Sequence, residues 1–147
     1  MLSNASKYAI RAVIYLAVYS DNSKKIGIKK ISKELNIPSP FLGKILQILV
    51  RHKILSSTKG PHGGFGLGKN ASEISLYDII LEMDGDDLFN TCLLGTGRCN
   101  EEEGKKKYCA IHSEFEVVKN RMIELYKNIT IDKLAKNVIE NIDDIIL

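Results

Sequence analysis

The chain lacks the features that would place it in or beyond a membrane. No apolar run in its 147 residues reaches the length of about 18 that a membrane-spanning helix needs. The opening MLSNASKYAIRAVIYLAVYS is apolar but has no basic start and no small-residue cleavage site. It continues with helical periodicity, so it reads as the first helix of the fold. No lipidation motif is visible, and the cytoplasm is the expected compartment. Cysteine is scarce and odd in number, with three residues, which argues against a closed disulfide framework. In a reducing compartment, clustered cysteines are more often metal-binding or redox-active than stapled. Catalytic patterns are missing as well: there is no Ser/His/Asp set, no supported carboxylate pair and no phosphate-cradling loop, so an enzyme is not expected. Internal repeats and low-complexity blocks are absent too.

Acidic residues are nearly missing from the first half. Residues 1–70 hold 12 Lys/Arg against Asp21 and Glu34, a net of +10. Residues 71–147 hold nine Lys/Arg against 16 acids, a net of −7. An overall charge of +3 therefore hides a division expected when one part faces a polyanion and the other does not. A solvated Lys-rich surface is the plainer alternative.

The basic half has a recognisable order. Tyr8–Tyr19 is apolar on nearly every side, which predicts a helix in the core or at a subunit interface. SDNSKKIG, residues 20–27, reads as a polar connection. Ile28, Ile31 and Leu35 then give a short amphipathic helix that Asn36 can end. Ile37 precedes Pro38 and is biased out of the helical region. Ser39 is expected to cap a second helix with Pro40 at its first position. Phe41, Leu42, Ile45, Leu46, Ile48 and Leu49 supply its buried face, while Ser39, Gly43, Lys44, Gln47 and Arg51 fall on the other. This is a helix-turn-helix. Ile54–Thr58 and Phe65–Leu67 read as strands joined by GPHGG, a turn rich in residues that accept positive φ. A hairpin there makes the pair a winged helix, although GPHGG alone could be an ordinary turn. Lys59 and His62 stand at the wing and Lys69 at its far end. His52 reads as a surface residue at a helix C-terminus, and His62 as either a phosphate contact or a solvent-facing side chain.

Downstream, SLYD predicts a capping box before a helix over 75–84, with Gly85 as its stop. Ser113 and Glu116 suggest another box. Phe115, Val118, Met122, Leu125 and Tyr126 follow at helical spacing. That stripe must be buried against a partner subunit or against its own domain. Thr130 can cap a last short helix before an acidic, apolar tail.

All three cysteines and one of three histidines lie in CLLGTGRCNEEEGKKKYCAIH, residues 92–112. The spacing C-x6-C-x9-C-x2-H is neither a zinc-ribbon pattern nor a ferredoxin run. Three soft thiolates and an imidazole do suit an iron–sulfur cluster. Zinc accepts the same ligands. A clusterless thiol switch is open too, since Arg98 and Lys105–Lys107 would lower thiol pKa values. Bystander cysteines are the remaining reading. Cys109 and His112, three apart at the expected start of a helix, can face one site.

SKYAIRAVIYLA, IPSPFLGKILQIL, KGPHGGFGLGK and ISLYDIILEMDG resemble, in that order, the Rrf2 (Rrf-two) family of bacterial transcription regulators of the IscR/NsrR type. The resemblance covers about residues 3–127. It implies a mainly α winged helix-turn-helix with a small β-hairpin and a long C-terminal dimerisation helix. The expected divisions are a DNA-binding domain at 1–85, a cysteine-bearing sensor loop at 86–112, and a dimerisation helix with its tail at 113–147. It also implies Cys92, Cys99 and Cys109 as ligands of an iron–sulfur cluster, 2Fe–2S rather than 4Fe–4S, with His112 resembling the fourth ligand of one branch. In other branches the fourth ligand is a carboxylate near the partner's N-terminus, and MLSNASKY contains no acid. Family members usually space their cysteines more closely than the nine-residue second gap here. The expected function is a cluster-controlled repressor or activator binding double-stranded DNA as a homodimer. Ser39, Pro40, Gly43, Lys44 and Gln47 would face the major groove, and Lys59, Gly60 and His62 the backbone or minor groove. The alternative is a clusterless winged-helix module controlled by thiol oxidation or by a protein partner such as a metabolic enzyme.

Overall fold

A 16-residue helix that is apolar on nearly every side cannot stay in water, and the rest of the chain wraps it. In the computed structural model this is α1 (Asn4–Tyr19), with Ala9, Ala12, Val13 and Leu16 completely buried. The structure describes residues 2–94, 101–102, 105–106, 110–141 and 147, the two short pairs as backbone only. Ser3 caps α1, its Oγ accepting from the Ser6 N–H at 3.0 Å.

α2 (Ile28–Leu35) buries Ile31 and Leu35 and ends at Asn36, which takes the left-handed conformation at φ 52°. The turn closes where the Ile37 N–H donates to the Ser32 carbonyl and the Ser32 hydroxyl donates to the Ile37 carbonyl. α3 (Ser39–Arg51) follows, with Leu42, Leu46 and Leu49 fully buried. Each such side chain contributes roughly 1.5–3 kcal/mol relative to exposure. The helix starts one residue earlier than expected. Pro38 occupies the cap position and Ser39 is already helical, without a side-chain cap bond. Pro40 therefore sits at the second position, where the missing N–H is equally harmless. Phe41, expected in the core, is exposed and meets Tyr8 edge-on at 5.8 Å.

β1 (Leu55–Thr58) and β2 (Gly64–Leu67) form the wing, with Leu55 opposite Leu67 and Thr58 opposite Gly64. The supposed polar connection holds a third pairing: Ile26 and Phe65 exchange N–H···O bonds of 2.9 and 2.8 Å. Alternation hid this because a single bridge has no periodicity.

α4 (Leu76–Asp84) begins with the expected capping box, the Asp78 N–H donating to Ser75 Oγ and the Ser75 N–H to Asp78, and ends at Gly85. Its Ile79 and Ile80 are fully buried, and the helix lies against α1 and α3. One turn, α5 (Asp87–Asn90), buries Phe89 against Tyr77. The backbone pairs β3 (Glu101–Glu102) and β4 (Lys105–Lys106) make a small hairpin within the cysteine stretch.

α6 (His112–Asn128) starts before the expected Ser113 cap: Ile111 is the cap residue and makes no side-chain bond. α7 (Ile131–Glu140) has Thr130 at its cap, but no helix N–H bonds to the Thr130 side chain. Its hydroxyl serves the Asp132 carboxylate instead, holding that acid below its usual range. α7 is no peripheral tail. It packs along α1, burying Ile131, Ala135 and Val138, so a helix from the end of the chain completes the core of its first half. Among the described residues, no helix is long and apolar enough to cross a membrane.

Candidate nucleic-acid interface and cysteine stretch

The buried leucines of α3 fix which way its other side faces. Pro40, Lys44, Gln47 and Arg51 are exposed, and Ser39 is half-buried. Gly43 has a second role: a Cβ there would meet Ile28 Cδ1 at 3.3 Å, so the glycine also lets α2 lie close to α3. In the wing, Gly60 takes φ 108° and its carbonyl accepts from the Gly63 N–H at 2.9 Å. This leaves Pro61 and His62 at the exposed tip, with Lys59 beside them. Gly64, at φ 153°, lies so close to Ile26 that a Cβ would come within 2.5 Å of its backbone. A cleft of about 280 Å³ runs between helix and wing, lined by Gln47 and Val50 on one side and Ser57, Thr58, Lys59 and Phe65 on the other. The fold thus gathers Gln47 and Lys59 at one surface, with Lys44 on the same helix.

Two polar ties were not legible in the sequence. Lys25 Nζ donates to Ser56 Oγ at 2.8 Å, its stem lying over Gly66, where a Cβ would be 2.9 Å from its Cδ. Arg11 Nη2 donates to the carbonyls of Leu35 and Leu147, each at 2.7 Å. Both join residues far apart in the chain, and neither has a local pattern.

Of the proposed cluster ligands, Cys92 and His112 are described; Cys99 and Cys109 lie outside the described residues. Cys92 lines a cleft of about 540 Å³ with Ser3, Asp84, Asp87 and Phe115. His112 is the first residue of α6, while Cys109, expected to face one site with it, lies outside the described residues. His112 Nε2 lies 3.6 Å from Glu116 Oε2. Among the described residues, no three His, Cys, Asp or Glu side chains converge as a metal site. The donor set in 92–112 itself, three thiols and an imidazole, is chemically suited to iron–sulfur or zinc binding.

The α6 stripe divides. Val118 and Leu125 are exposed, as is Val117, which the spacing did not single out. Phe115 and Met122 are half-buried, and Tyr126 meets Phe89 at 6.3 Å. Lys127 Nζ sits 4.8 Å from the Tyr77 ring centroid. His52 caps α3 and its Nδ1 contacts Glu82 Oε2 at 2.7 Å.

A mainly helical body, a helix-turn-helix and a two-stranded wing define a winged helix-turn-helix protein. The family model of the Rrf2 iron-dependent transcriptional regulators matches residues 2–137, and the chain belongs to that family. A provisionally named HTH-type transcriptional regulator of Aquifex aeolicus is 35% identical over 135 residues, covering 91% of this chain and 90% of the relative. The HTH-type transcriptional regulator IscR of Pectobacterium atrosepticum is 28% identical over 136 residues, 92% of this chain and 79% of that one. The structure of CymR, the global cysteine regulator of B. subtilis, superposes with a TM-score of 0.76 at 20% identity, covering 93% of this chain and 97% of that one.

Proposed function

We propose that this transcriptional regulator reads double-stranded DNA with the outer face of α3 and the wing, and that residues 92–112 control it by holding an iron–sulfur cluster. Ser39, Pro40, Gly43, Lys44 and Gln47 serve the major groove; Lys59, Gly60 and His62 serve the backbone or minor groove. Two copies pair through α6, where Val118 and Leu125 offer apolar surface. Residues 1–85 read, 86–112 sense and 113–128 pair, with α7 assigned to the reader's core.

One observation carries the sensing role: Cys92 lines a cleft shared with α1's cap residue Ser3, α4's Asp84 and α6's Phe115. A ligand gripped there touches the reader and the pairing helix together. Cys92, Cys99, Cys109 and His112 would hold the cluster, 2Fe–2S in preference to 4Fe–4S. When bound, it supplies an iron- and redox-sensitive group. The chain's own contribution is to supply thiolates and imidazole and to tie their backbone to α4 and α6. Inside the long second gap β3 and β4 pair antiparallel, Glu101 opposite Lys106 and Glu102 opposite Lys105.

The test is reconstitution with iron and sulfide without oxygen. Charge-transfer absorption that is lost in Cys92→Ala, Cys99→Ala and Cys109→Ala, with altered DNA affinity, is expected. A colourless protein whose three variants bind DNA unchanged would overturn cluster control and leave a plain winged-helix regulator. Colourless protein whose DNA binding responds to oxidant through Cys92 would point to a thiol switch instead.

A further inference from the structure

We propose that the last turn of α4 is the link by which the state of the cysteine stretch reaches the recognition helix, with Glu82 and Asp84 as its two positioning residues. This rests on the sensing role proposed for residues 92–112.

α4 is held as a rigid body. Ile79 and Ile80 are fully buried, and the helix lies against both α1 and α3. Residues two apart on a helix are separated by roughly 200°, so Glu82 and Asp84 leave the last turn in opposite directions. Each finds the cap of a different helix. Glu82 Oε2 contacts Nδ1 of His52 at 2.7 Å, and His52 is the cap that ends α3. The His52 N–H is itself committed to the carbonyls of Ile48 and Val50, so a pull on this side chain is passed to the last turn of α3.

Asp84 takes the other direction. It accepts from the Ser3 N–H at 3.1 Å and from the Ser3 hydroxyl, and Ser3 is the cap that begins α1. Asp84 also forms part of the wall of the cleft lined by Cys92 and Phe115. Beyond Asp84 the chain turns at Gly85, where φ is 72°, and reaches its first cysteine at Cys92. This turn touches the start of α1, the end of α3 and the wall of the cysteine cleft. A change at Cys92 that shifts Asp84 must also shift Glu82, because both ride on one turn. The α3 cap then follows, and with it the helix carrying Gln47 and Arg51.

Such a link is a coupling free energy, measurable as a ratio of two affinities. The experiment uses the full chain and a DNA duplex it binds. Dissociation constants are measured by anisotropy for the reduced protein before and after loading with iron and sulfide without oxygen. The variants are Glu82→Gln, His52→Gln and the Glu82→Gln/His52→Gln double variant; each keeps side-chain size, and thermal melts establish folding. Each single variant is expected to load with the wild-type absorption spectrum. Each should bind DNA as the unloaded wild type does, and reduce the wild-type affinity ratio by at least about threefold. The double variant should lose no more than either single one, because the pair acts as a unit. A wild-type ratio retained in all variants would overturn the link. Variants that lose the absorption spectrum would also overturn it, placing these residues in loading rather than in transmission. A wild-type ratio of one, or a wild type that does not load, defeats the sensing role itself and the link with it.

Discussion

Asp84 shows how much a single side chain can be asked to do. Partial burial disfavours its charge, but hydrogen bonds from the Ser3 hydroxyl and N–H more than offset this and hold its carboxyl below the usual range. A carboxyl whose folded pKa is depressed adds stability that is present above its unfolded value, about 3.9, and is lost as pH falls through the folded one. Asp84→Asn is therefore expected to destabilise the protein at neutral pH and to flatten the fall in melting temperature below about pH 4, measured by circular dichroism. The serine that supplies those bonds was visible in the sequence, but its pairing with a residue 81 positions away was not. Phe41 makes the same point: its spacing matched the buried face, yet it is exposed and meets Tyr8 edge-on instead.

At the scale of elements, local chemistry was a reliable guide wherever the stop or start was local. Asn36 at positive φ, the Ser75–Asp78 box and the Gly85 stop all follow from backbone and side chain within four residues. The Ser113 and Ser39 caps failed because each helix begins earlier, with Ile111 and Pro38 at the cap positions. The wing is the clearest case of an element needing a distant partner. Its Gly64 lies against Ile26 and takes a φ few side chains adopt. Gly64→Ala is expected to break the Ile26–Phe65 bridge and destabilise the protein by at least about 1 kcal/mol. It should weaken DNA binding while the helical signal of the unheated protein stays nearly the same; unchanged melting would show that the bridge is dispensable.

For the whole molecule, the charge division now has a physical location. The surplus cations of residues 1–70 include Lys44 on α3 and Lys59 at the wing, on elements that meet across one cleft. Each phosphate that a protein neutralises steepens the fall of affinity with salt, by a slope of about 0.9. Replacing Lys44 and Lys59 by Ala should weaken binding to all sequences. It should also reduce that slope by about 0.9 for each phosphate left without its lysine, read from titrations at several salt concentrations. An unchanged slope would place the DNA face elsewhere.

Sequence alone determined the winged helix-turn-helix, the order of its parts, the family and the donor set between 92 and 112, because periodicity, caps, turn residues and ligand type are local properties. Only the tertiary structure decided that α7 closes the core around α1, that Ile26 joins the wing, and that the last turn of α4 ties Ser3 on one side and His52 on the other. Those pairings join residues far apart in the chain, chosen by which surfaces remain to be buried once the local elements have formed.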